Sequence, residues 1–257
     1  MSDVILKTVG LTKEFRGFLA VRDVSLRVRR GEIHALIGPN GAGKTTCFNL
    51  LSKFIAPTSG CILYNGVDIT DERPAQVARR GIIRSFQISA VFPHLTVLEN
   101  VRIALQRKTG LSMHFWRSER LLASLDARAM ELLREVDLHG CAGQVSASLP
   151  YGRKRALEIA TTLAMEPELM LLDEPTQGMG HEDVERVTRL IERVAAGRTV
   201  LMVEHNMNVV SSIADTITVL ARGSVLAEGP YEQVSRDPAV MTAYMGSPQG
   251  EPAGAHP

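Results

Sequence analysis

Eight consecutive residues, 38–45, read Gly-Pro-Asn-Gly-Ala-Gly-Lys-Thr and match the pattern of a phosphate-binding loop. Glycines let the backbone wrap closely around phosphate oxygens, with its N–H groups pointing inward. Lys44 would add a positive charge beside the β- and γ-phosphates, and the hydroxyl of Thr45 is a group that can ligate Mg²⁺. The spacing therefore predicts binding of a nucleoside triphosphate and cleavage of its terminal phosphate.

Two carboxylates, Asp173 and Glu174, follow a run of four apolar residues. Buried parallel strands have such runs, and ligands of open α/β sheets bind at the carboxyl ends of the strands. Asp173 would hold Mg²⁺ through water, and Glu174 would polarise the attacking water as general base. Taken alone, the pair is equally consistent with an exposed acidic turn after a core strand. Beside a phosphate loop the functional interpretation is favoured, because such a site needs an aspartate at a strand end.

The elements that must position these residues alternate between strand and helix patterns. An apolar run at 32–38 precedes the phosphate loop, a helix pattern covers 44–54, and the alternation resumes after 165. It predicts a mostly parallel central sheet. Residues 4–11 and 21–28 alternate polar and apolar side chains, which predicts a separate antiparallel sheet.

A mostly helical stretch, about 96–164, interrupts the α/β pattern and reads as an insertion. The expected fold class is α/β: a P-loop NTPase core (mostly parallel sheet with flanking helices) with an N-terminal antiparallel β subdomain and an inserted helical subdomain. The last residues are rich in Gly, Pro and Ala, which is typical of disorder. We expect one domain at 1–246, with the ATP-binding core at about 1–87 and 165–246, the helical subdomain at 88–164, and a disordered tail at 247–257.

The composition argues against several classes of protein. The formal net charge is +1, so no strong field selects nucleic acid or an acidic membrane surface. No stretch approaches about 18 apolar residues, so other chains would have to supply any membrane-spanning part. The N-terminus lacks the features of a secretory signal, and the three cysteines have no metal-site or disulfide spacing, which favours a reducing, cytosolic setting. Cys47, just past the phosphate loop, is expected to be a small core residue.

In their order, the two motifs resemble those of ATP-binding-cassette (ABC) ATPases, and the resemblance covers nearly the whole chain. Gln87 looks like the family's Q-loop glutamine, and His205 looks like its switch histidine. Phe15 is similar to the aromatic that stacks on adenine, and 149–153 falls where the family signature Leu-Ser-Gly-Gly-Gln belongs. Each of these residues alone has an ordinary explanation as a core or solvated side chain. Their joint order and spacing favour the functional interpretation.

The resemblance implies that the chain binds ATP and Mg²⁺ and that two subunits close around the nucleotide, each signature facing the opposite subunit's γ-phosphate. The residues implied in catalysis are Glu174, His205 and Lys44. Those implied in organising Mg²⁺ are Thr45, Gln87 and Asp173. Those implied in nucleotide contacts are Phe15, Val21, Gly38, Pro39, Asn40, Gly41, Ala42, Gly43, Lys44, Thr45, Thr46, Gln87, Leu149, Pro150, Tyr151 and Gly152.

Closer similarity is to the ATP-binding subunits of bacterial branched-chain (hydrophobic) amino-acid importers. The more specific pieces are the Tyr-Gly signature at 151–152 and the ending Ala-Tyr-Met-Gly at 243–246. This implies a peripheral subunit at the cytoplasmic face of the inner (cell) membrane, paired with a second ABC ATPase subunit. Together the pair would drive two transmembrane permease subunits that receive solute from a periplasmic or extracellular solute-binding protein; no nucleic acid is involved. Import of urea, short amides or small carboxylates remains an alternative, as does a soluble or exporter-associated ABC ATPase.

Three departures from the family pattern concern the composite sites. Pro150 replaces the signature serine, so a phosphate contact is lost although proline suits the first turn of a helix. Arg153 replaces the signature glutamine, and a cation there either compensates for the lost contact or is simply solvated. Gly180 stands where many relatives carry an aspartate. The composite site that this signature completes is therefore expected to be the weaker of two.

Overall fold

The structure is a computed structural model that describes residues 3–85, 91–108 and 125–245. Its strands are β1 (Val4–Phe15), β2 (Phe18–Val24), β3 (Arg27–Arg29), β4 (Ile33–Ile37), β5 (Ser59–Tyr64), β6 (Val67–Asp68), β7 (Ile82–Ser85), β8 (Leu169–Asp173), β9 (Thr199–Val203), β10 (Thr216–Ala221) and β11 (Ser224–Gly229). Its helices are α1 (Lys44–Leu51), α2 (Pro74–Arg79), α3 (Val97–Lys108), α4 (Asp126–Glu135), α5 (Tyr151–Leu163), α6 (His181–Ala195), α7 (Met207–Ile213), α8 (Tyr231–Val234) and α9 (Pro238–Met245).

The central sheet has the strand order β11-β10-β4-β9-β8-β7. Every neighbouring pair is parallel except β10 and β11, which form an antiparallel hairpin at one edge. Strands β4, β8 and β9 are buried along their whole length, as parallel strands covered on both faces must be. The prediction of a mostly parallel sheet is confirmed.

The second sheet is antiparallel and has the order β2-β1-β5-β6, with β3 also paired to β1. The long strand β1 pairs with three other strands along its length. Its first residues pair with β3 and β5, and its last residues pair with β2. Register shifts between Leu11 and Glu14 mark the change, which is what bulges do when they bend a strand. The expected N-terminal antiparallel sheet is confirmed.

Two apolar clusters cover the two faces of the central sheet. Alternate residues of one strand enter different clusters: Met170 and Leu172 of β8 pack with the helices α3 to α6, while Leu169 and Leu171 pack with α1 and the antiparallel sheet. The helices α3, α4 and α5 thus share one core with a sheet face. The division into core and helical subdomain stays a prediction, and the tail at 247–257 lies outside the described residues.

Helix α1 is shorter than its sequence pattern predicts, because it ends at Leu51 rather than near residue 54. Ser52 donates its hydroxyl to the carbonyl oxygen of Phe48 at 2.7 Å, and Lys53 adopts a left-handed conformation with φ 62°. A left-handed residue terminates a right-handed helix.

Within the described ranges, no helix has the length and hydropathy that crossing a bilayer requires.

Candidate functional site

The predicted phosphate loop and the acid pair lie at the same edge of the central sheet. Strand β9 lies between β4 and β8, and Val203 pairs with both Leu36 and Asp173. The loops that leave β4, β8 and β9 therefore begin at one level. They carry the phosphate loop, Glu174 and His205 respectively.

The phosphate loop packs closely against the backbone of two other segments, at Leu220 and at Ala20. A Cβ on Gly38 would lie 2.2 Å from the carbonyl oxygen of Leu220, and one on Gly43 would lie 2.5 Å from that of Ala20. Gly43 also has φ 99° and forms the N-cap of α1. The sequence has glycine at both positions because no other residue fits there. Asn40, in the curve of the same loop, is exposed.

Lys44 begins helix α1 and turns its side chain back into the loop. Its ammonium Nζ donates to the carbonyl oxygens of Gly38 at 2.7 Å and Pro39 at 3.1 Å. Burial lowers the pKa of Lys44, and the nearby charge of Glu174 opposes that shift. The loop thus holds a cation at its centre, next to the carboxylate that follows β8.

Asp173 is almost completely buried and faces the side of the sheet covered by α1. Its oxygen Oδ2 accepts from Nη2 of Arg84 at 2.5 Å, while Oδ1 is buried without a hydrogen-bond partner among the described residues. Arg84 also donates to Asn49 of α1 at 2.7 Å, and its guanidinium lies 5.7 Å from the ring centroid of Phe48. The arginine therefore fixes one carboxylate oxygen and leaves the other available.

An orphaned carboxylate oxygen is the kind of atom that a magnesium site needs. Mg²⁺ prefers oxygen ligands and is usually held by one or two carboxylates together with substrate phosphates. Asp173 supplies such an oxygen, and Thr45 carries an exposed hydroxyl one residue after the loop lysine. No group of three His, Cys, Asp or Glu side chains in the described part of the chain could hold a metal by itself. Oδ1 of Asp173 and the hydroxyl of Thr45 are donors that fit a cation bound together with nucleotide phosphates. Gln87, the third predicted ligand, lies outside the described residues.

Glu174 has an unusual backbone for a residue with a side chain. Its φ is +44°, in the left-handed region, and its N–H donates to the carbonyl oxygen of Val203 at 2.9 Å. Left-handed non-glycine residues cost free energy and occur often at functional sites. The following turn is closed by a bond from the N–H of Gln177 to the carbonyl oxygen of Glu174 at 3.1 Å.

His205 is half-exposed and follows the fully buried residue Glu204. The Glu204 carboxylate accepts from the backbone N–H of His205 at 2.7 Å and of Asn206 at 3.0 Å. The same carboxylate accepts from the backbone N–H of Thr176 at 3.2 Å and from its hydroxyl. Glu204 thus joins the loop after β8 to the loop after β9.

The signature segment begins helix α5, as predicted. Pro150 is the N-cap, Tyr151 is the first helical residue, and Leu149 is buried. The Tyr151 hydroxyl reaches the carbonyl oxygen of Gln177 at 3.4 Å, so the start of α5 touches the turn after Glu174 within the same chain. A cavity of about 50 Å³ lies between these two segments.

Two further signature positions have specific contacts. A Cβ on Gly152 would lie 2.5 Å from Oδ1 of Asp183, so a larger residue would displace that carboxylate where α5 meets α6. Arg153 is exposed and donates from Nη1 to Sγ of Cys141 at 3.2 Å. The guanidinium of Arg153 therefore contacts a residue of its own subunit.

The predicted adenine contacts separate into an exposed and a buried residue. Phe15 is 45% exposed at the end of β1, and Nζ of Lys13 lies 5.1 Å from its ring centroid. Val21 is fully buried in the cluster beneath α1, so the prediction that it lies beside the base is wrong: its side chain packs the core. A cleft of about 500 Å³ next to Gly41 is lined instead by Phe18, which is 66% exposed.

Arg84, Glu204 and Thr176 were not among the residues predicted from sequence. Signals for two of them were present: Arg84 is a charge that directly follows two isoleucines of a short strand, and Glu204 directly follows five apolar or β-branched strand residues. Charged residues are rarely buried without a partner.

The remaining predicted residues of the phosphate loop are Ala42, which is buried, and Thr46, which is partly buried.

Comparisons with known proteins agree with this geometry. The profile of the ABC transporter family matches residues 21–177, and that of the branched-chain amino acid ATP-binding cassette transporters matches residues 224–248. The chain is 38% identical to the high-affinity branched-chain amino acid transport ATP-binding protein BraF of Pseudomonas aeruginosa, over 96% of this chain and 99% of BraF.

Solved structures with the same fold include the ADP conformation of MJ1267, an ATP-binding cassette of an ABC transporter. It superposes with a TM-score of 0.83 at 27% identity and covers 96% of this chain and 100% of its own. A dimeric post-hydrolysis state of the cassette MJ0796, bound to ADP and Pi, superposes with a TM-score of 0.73 at 27% identity, over 88% of this chain and 98% of its own.

Proposed function

Since this chain belongs to the ABC transporter family, as an ATP-hydrolysing cassette, we propose that it powers an importer of branched-chain or other hydrophobic amino acids. The solute assignment is supported by the C-terminal match at 224–248 and by the identity to BraF over nearly the whole length of both chains. The assignment of the reacting residues rests on the meeting of the phosphate loop, Asp173–Glu174 and His205 at one edge of the sheet.

In this proposal the phosphate loop binds the nucleotide. The inward N–H groups of the loop and the N-terminus of α1 attract the phosphates, and Lys44 exchanges its bonds to Gly38 and Pro39 for phosphate oxygens. The exchange keeps the ammonium paired, so its buried charge stays compensated. Phe15, exposed at the edge of the antiparallel sheet, offers its ring to the base.

Mg²⁺, when bound with ATP, neutralises phosphate charge and polarises the terminal phosphoryl group. Asp173 would hold it through Oδ1, directly or through water, and Thr45 through its hydroxyl, with Gln87 as a further ligand. Arg84 bonds Oδ2 of Asp173 and so turns the carboxylate with Oδ1 left without a hydrogen-bond partner among the described residues.

Hydrolysis requires a base and support for developing charge. We assign Glu174 as the general base that orients and polarises the attacking water, and His205 as the group that supports charge on the terminal phosphate in the transition state. Both follow neighbouring parallel strands that end at the same level, and this shared level supports a role for both at the terminal phosphate.

A complete site needs a second cassette. The exposed Tyr151 and the start of α5 would close over the γ-phosphate bound to the partner subunit, which brings a second helix N-terminus to that anion. Closure and reopening of this dimer would drive two transmembrane permease subunits at the cytoplasmic face of the membrane. A solute-binding protein outside would deliver the amino acid to them.

The substitution Glu174→Gln tests the chemical assignment. It removes the base but keeps the size of the side chain, so ATP binding persists while turnover falls about 100-fold or more. Turnover and the sedimentation coefficient are measured for both proteins over a wide range of concentrations. An ATP-trapped dimer of the variant alone is expected. Normal turnover by the variant would remove Glu174 from its assigned role.

The solute is tested on the assembled transporter. A tag on this chain isolates the complex from its own cells, and reconstitution into vesicles allows uptake of labelled leucine and labelled urea to be compared. ATP-dependent leucine uptake is expected, with no uptake when the complex carries Glu174→Gln. Uptake of urea in place of leucine would overturn the solute assignment but leave the ATPase assignment intact.

A further inference from the structure

Glu204 is a fully buried carboxylate whose two oxygens face two different loops. Oε1 accepts from the backbone N–H of Thr176 at 3.2 Å and from the Thr176 hydroxyl. Oε2 accepts from the backbone N–H of His205 at 2.7 Å and of Asn206 at 3.0 Å. One side chain therefore ties the loop after β8 to the loop after β9.

The number of donors explains why a carboxylate is tolerated in this place. Burying an ionised group is costly unless hydrogen bonds replace its hydration. Three backbone N–H groups and one hydroxyl meet the two oxygens of Glu204, and an ionised carboxylate only accepts. A glutamate satisfies the arrangement better than an amide, because the NH₂ of a glutamine would face at least one backbone N–H donor in either orientation.

The two residues joined by this contact, Thr176 and Glu204, lie close in sequence to the proposed catalytic residues. Thr176 is two residues after Glu174, and His205 is adjacent to Glu204. The N–H of Glu174 is bonded to the carbonyl oxygen of Val203, so the backbone fixes the start of the first loop. The Thr176–Glu204 bonds fix the turn that follows and leave the two loops little freedom to move apart.

We propose that Glu204 is a positioning residue for ATP hydrolysis: with Thr176 as its partner, it holds the loop of Glu174 and the loop of His205 at a fixed separation. This inference rests on the proposed roles of Glu174 and His205. A displacement of about 1 Å in a catalytic group lowers a rate by roughly 100-fold, so a tie between two such groups affects kcat rather than substrate affinity.

Glu204→Gln is the first test, in the tagged complex. The expected result is a fall in kcat of about 10- to 100-fold with KM for ATP changed by less than about twofold, because the phosphate loop is not altered. The same substitution at an exposed position, Glu185→Gln on α6, is the matched control and should leave both constants unchanged. Binding of a fluorescent ATP analogue reports the fraction of folded sites, and kcat is expressed per folded site.

Thr176 provides a second pair of variants that leave Glu204 in place. Thr176→Val keeps the shape but removes the hydroxyl, and a fall in kcat of about tenfold is expected for the loss of a bond to a charged acceptor. Thr176→Ser restores the hydroxyl and should restore kcat to within about twofold of wild type. Equal rates in the valine and serine variants would overturn the proposal, as would a loss in Glu204→Gln that disappears when expressed per folded site.

Two parallel variants separate failure of this inference from failure of the proposed function. If Glu174→Gln and His205→Ala retain wild-type turnover, the assigned catalytic residues are wrong. If both lose turnover while Glu204→Gln retains it, the assignment stands and only the positioning role is wrong.

Discussion

Arg84 contacts only one of the two carboxylate oxygens of Asp173: Nη2 lies 2.5 Å from Oδ2, and Oδ1 has no hydrogen-bond partner among the described residues. The arginine is itself held in place, because it donates to Asn49 and Ser52 and lies near the rings of Phe48 and Phe54. An ion pair with such fixed geometry orients the aspartate before any ligand arrives.

Arg84→Gln is expected to destabilise the protein by about 3–5 kcal/mol, because it leaves a buried carboxylate without its cation. Mg²⁺ should then raise the thermal midpoint of the variant more than that of wild type, since it can replace the lost charge at Asp173. Both effects are measured by thermal and urea unfolding with and without millimolar Mg²⁺. Arg84→Lys, which keeps the charge but loses the planar donor geometry, should show a smaller loss. An equal response to Mg²⁺ in all three proteins would contradict this account.

Gly43→Ala should destabilise the nucleotide-free protein more than Gly41→Ala. Both glycines have positive φ, so both variants are strained, but only the Cβ at residue 43 would meet a backbone oxygen, that of Ala20 at 2.5 Å. The difference in the free energy of unfolding should be about 1–3 kcal/mol, the usual cost of overpacking. Urea unfolding of the two variants without nucleotide measures it, and equal stabilities would contradict the steric explanation.

Glu32→Gln should reduce the acid sensitivity of the fold. Burial raises the pKa of Glu32, but bonds with His34, the Arg29 backbone and Thr216 outweigh it and hold the pKa below its ordinary value of 4.5. The unfolded chain therefore takes up a proton at Glu32 at a higher pH than the folded protein does. This contribution to stability is complete above the ordinary pKa and is lost as the pH falls through the lowered one.

The Glu32 variant should lose about 1–3 kcal/mol of stability at pH 7, because the amide keeps one acceptor oxygen and replaces the other with an NH₂ that cannot accept from the donors around it. Its stability should then fall less steeply than that of wild type between pH 5 and pH 3. Urea unfolding across that range gives both slopes, with Glu185→Gln as a surface control. Parallel slopes for Glu32→Gln and wild type would show that the lowered pKa makes no difference to stability.

Cys47 should resist thiol reagents in the native protein. It is fully buried, as its sequence context predicts, and burial raises its pKa to about 12. Almost no thiolate exists at pH 8, and thiolate is the reactive form. Mass spectrometry after brief treatment with iodoacetamide should find Cys61, which is partly exposed, modified before Cys47. In urea the two sites should react alike. Early modification of Cys47 would mean that helix α1 opens readily.

Local sequence patterns predict the parts of the site that are built from chain neighbours. The strand–loop–helix order locates the phosphate loop, the apolar run locates Asp173 at a strand end, and the proline at residue 150 agrees with a helix that begins at Tyr151. The fold class follows from the same patterns and is confirmed. The functions assigned to Phe15 and Gln87 stay predictions.

The parts that were missed depend on pairings between distant segments. Arg84 and Asp173 are 89 residues apart, and Thr176 and Glu204 are 28 residues apart, so no local period reveals either contact. Val21 was assigned to the base by resemblance alone. The alternation along its strand separates two faces but does not say which face the rest of the fold covers, so the sequence could not correct that assignment.

The left-handed backbone of Glu174 has an evolutionary consequence. A side chain in that conformation costs roughly 1–3 kcal/mol, whereas glycine adopts it freely. A gene copy under selection only for a folded product would gain stability from the very substitution that removes its base. Wherever selection for hydrolysis is relaxed, the backbone at this position therefore favours loss of the carboxylate over its retention.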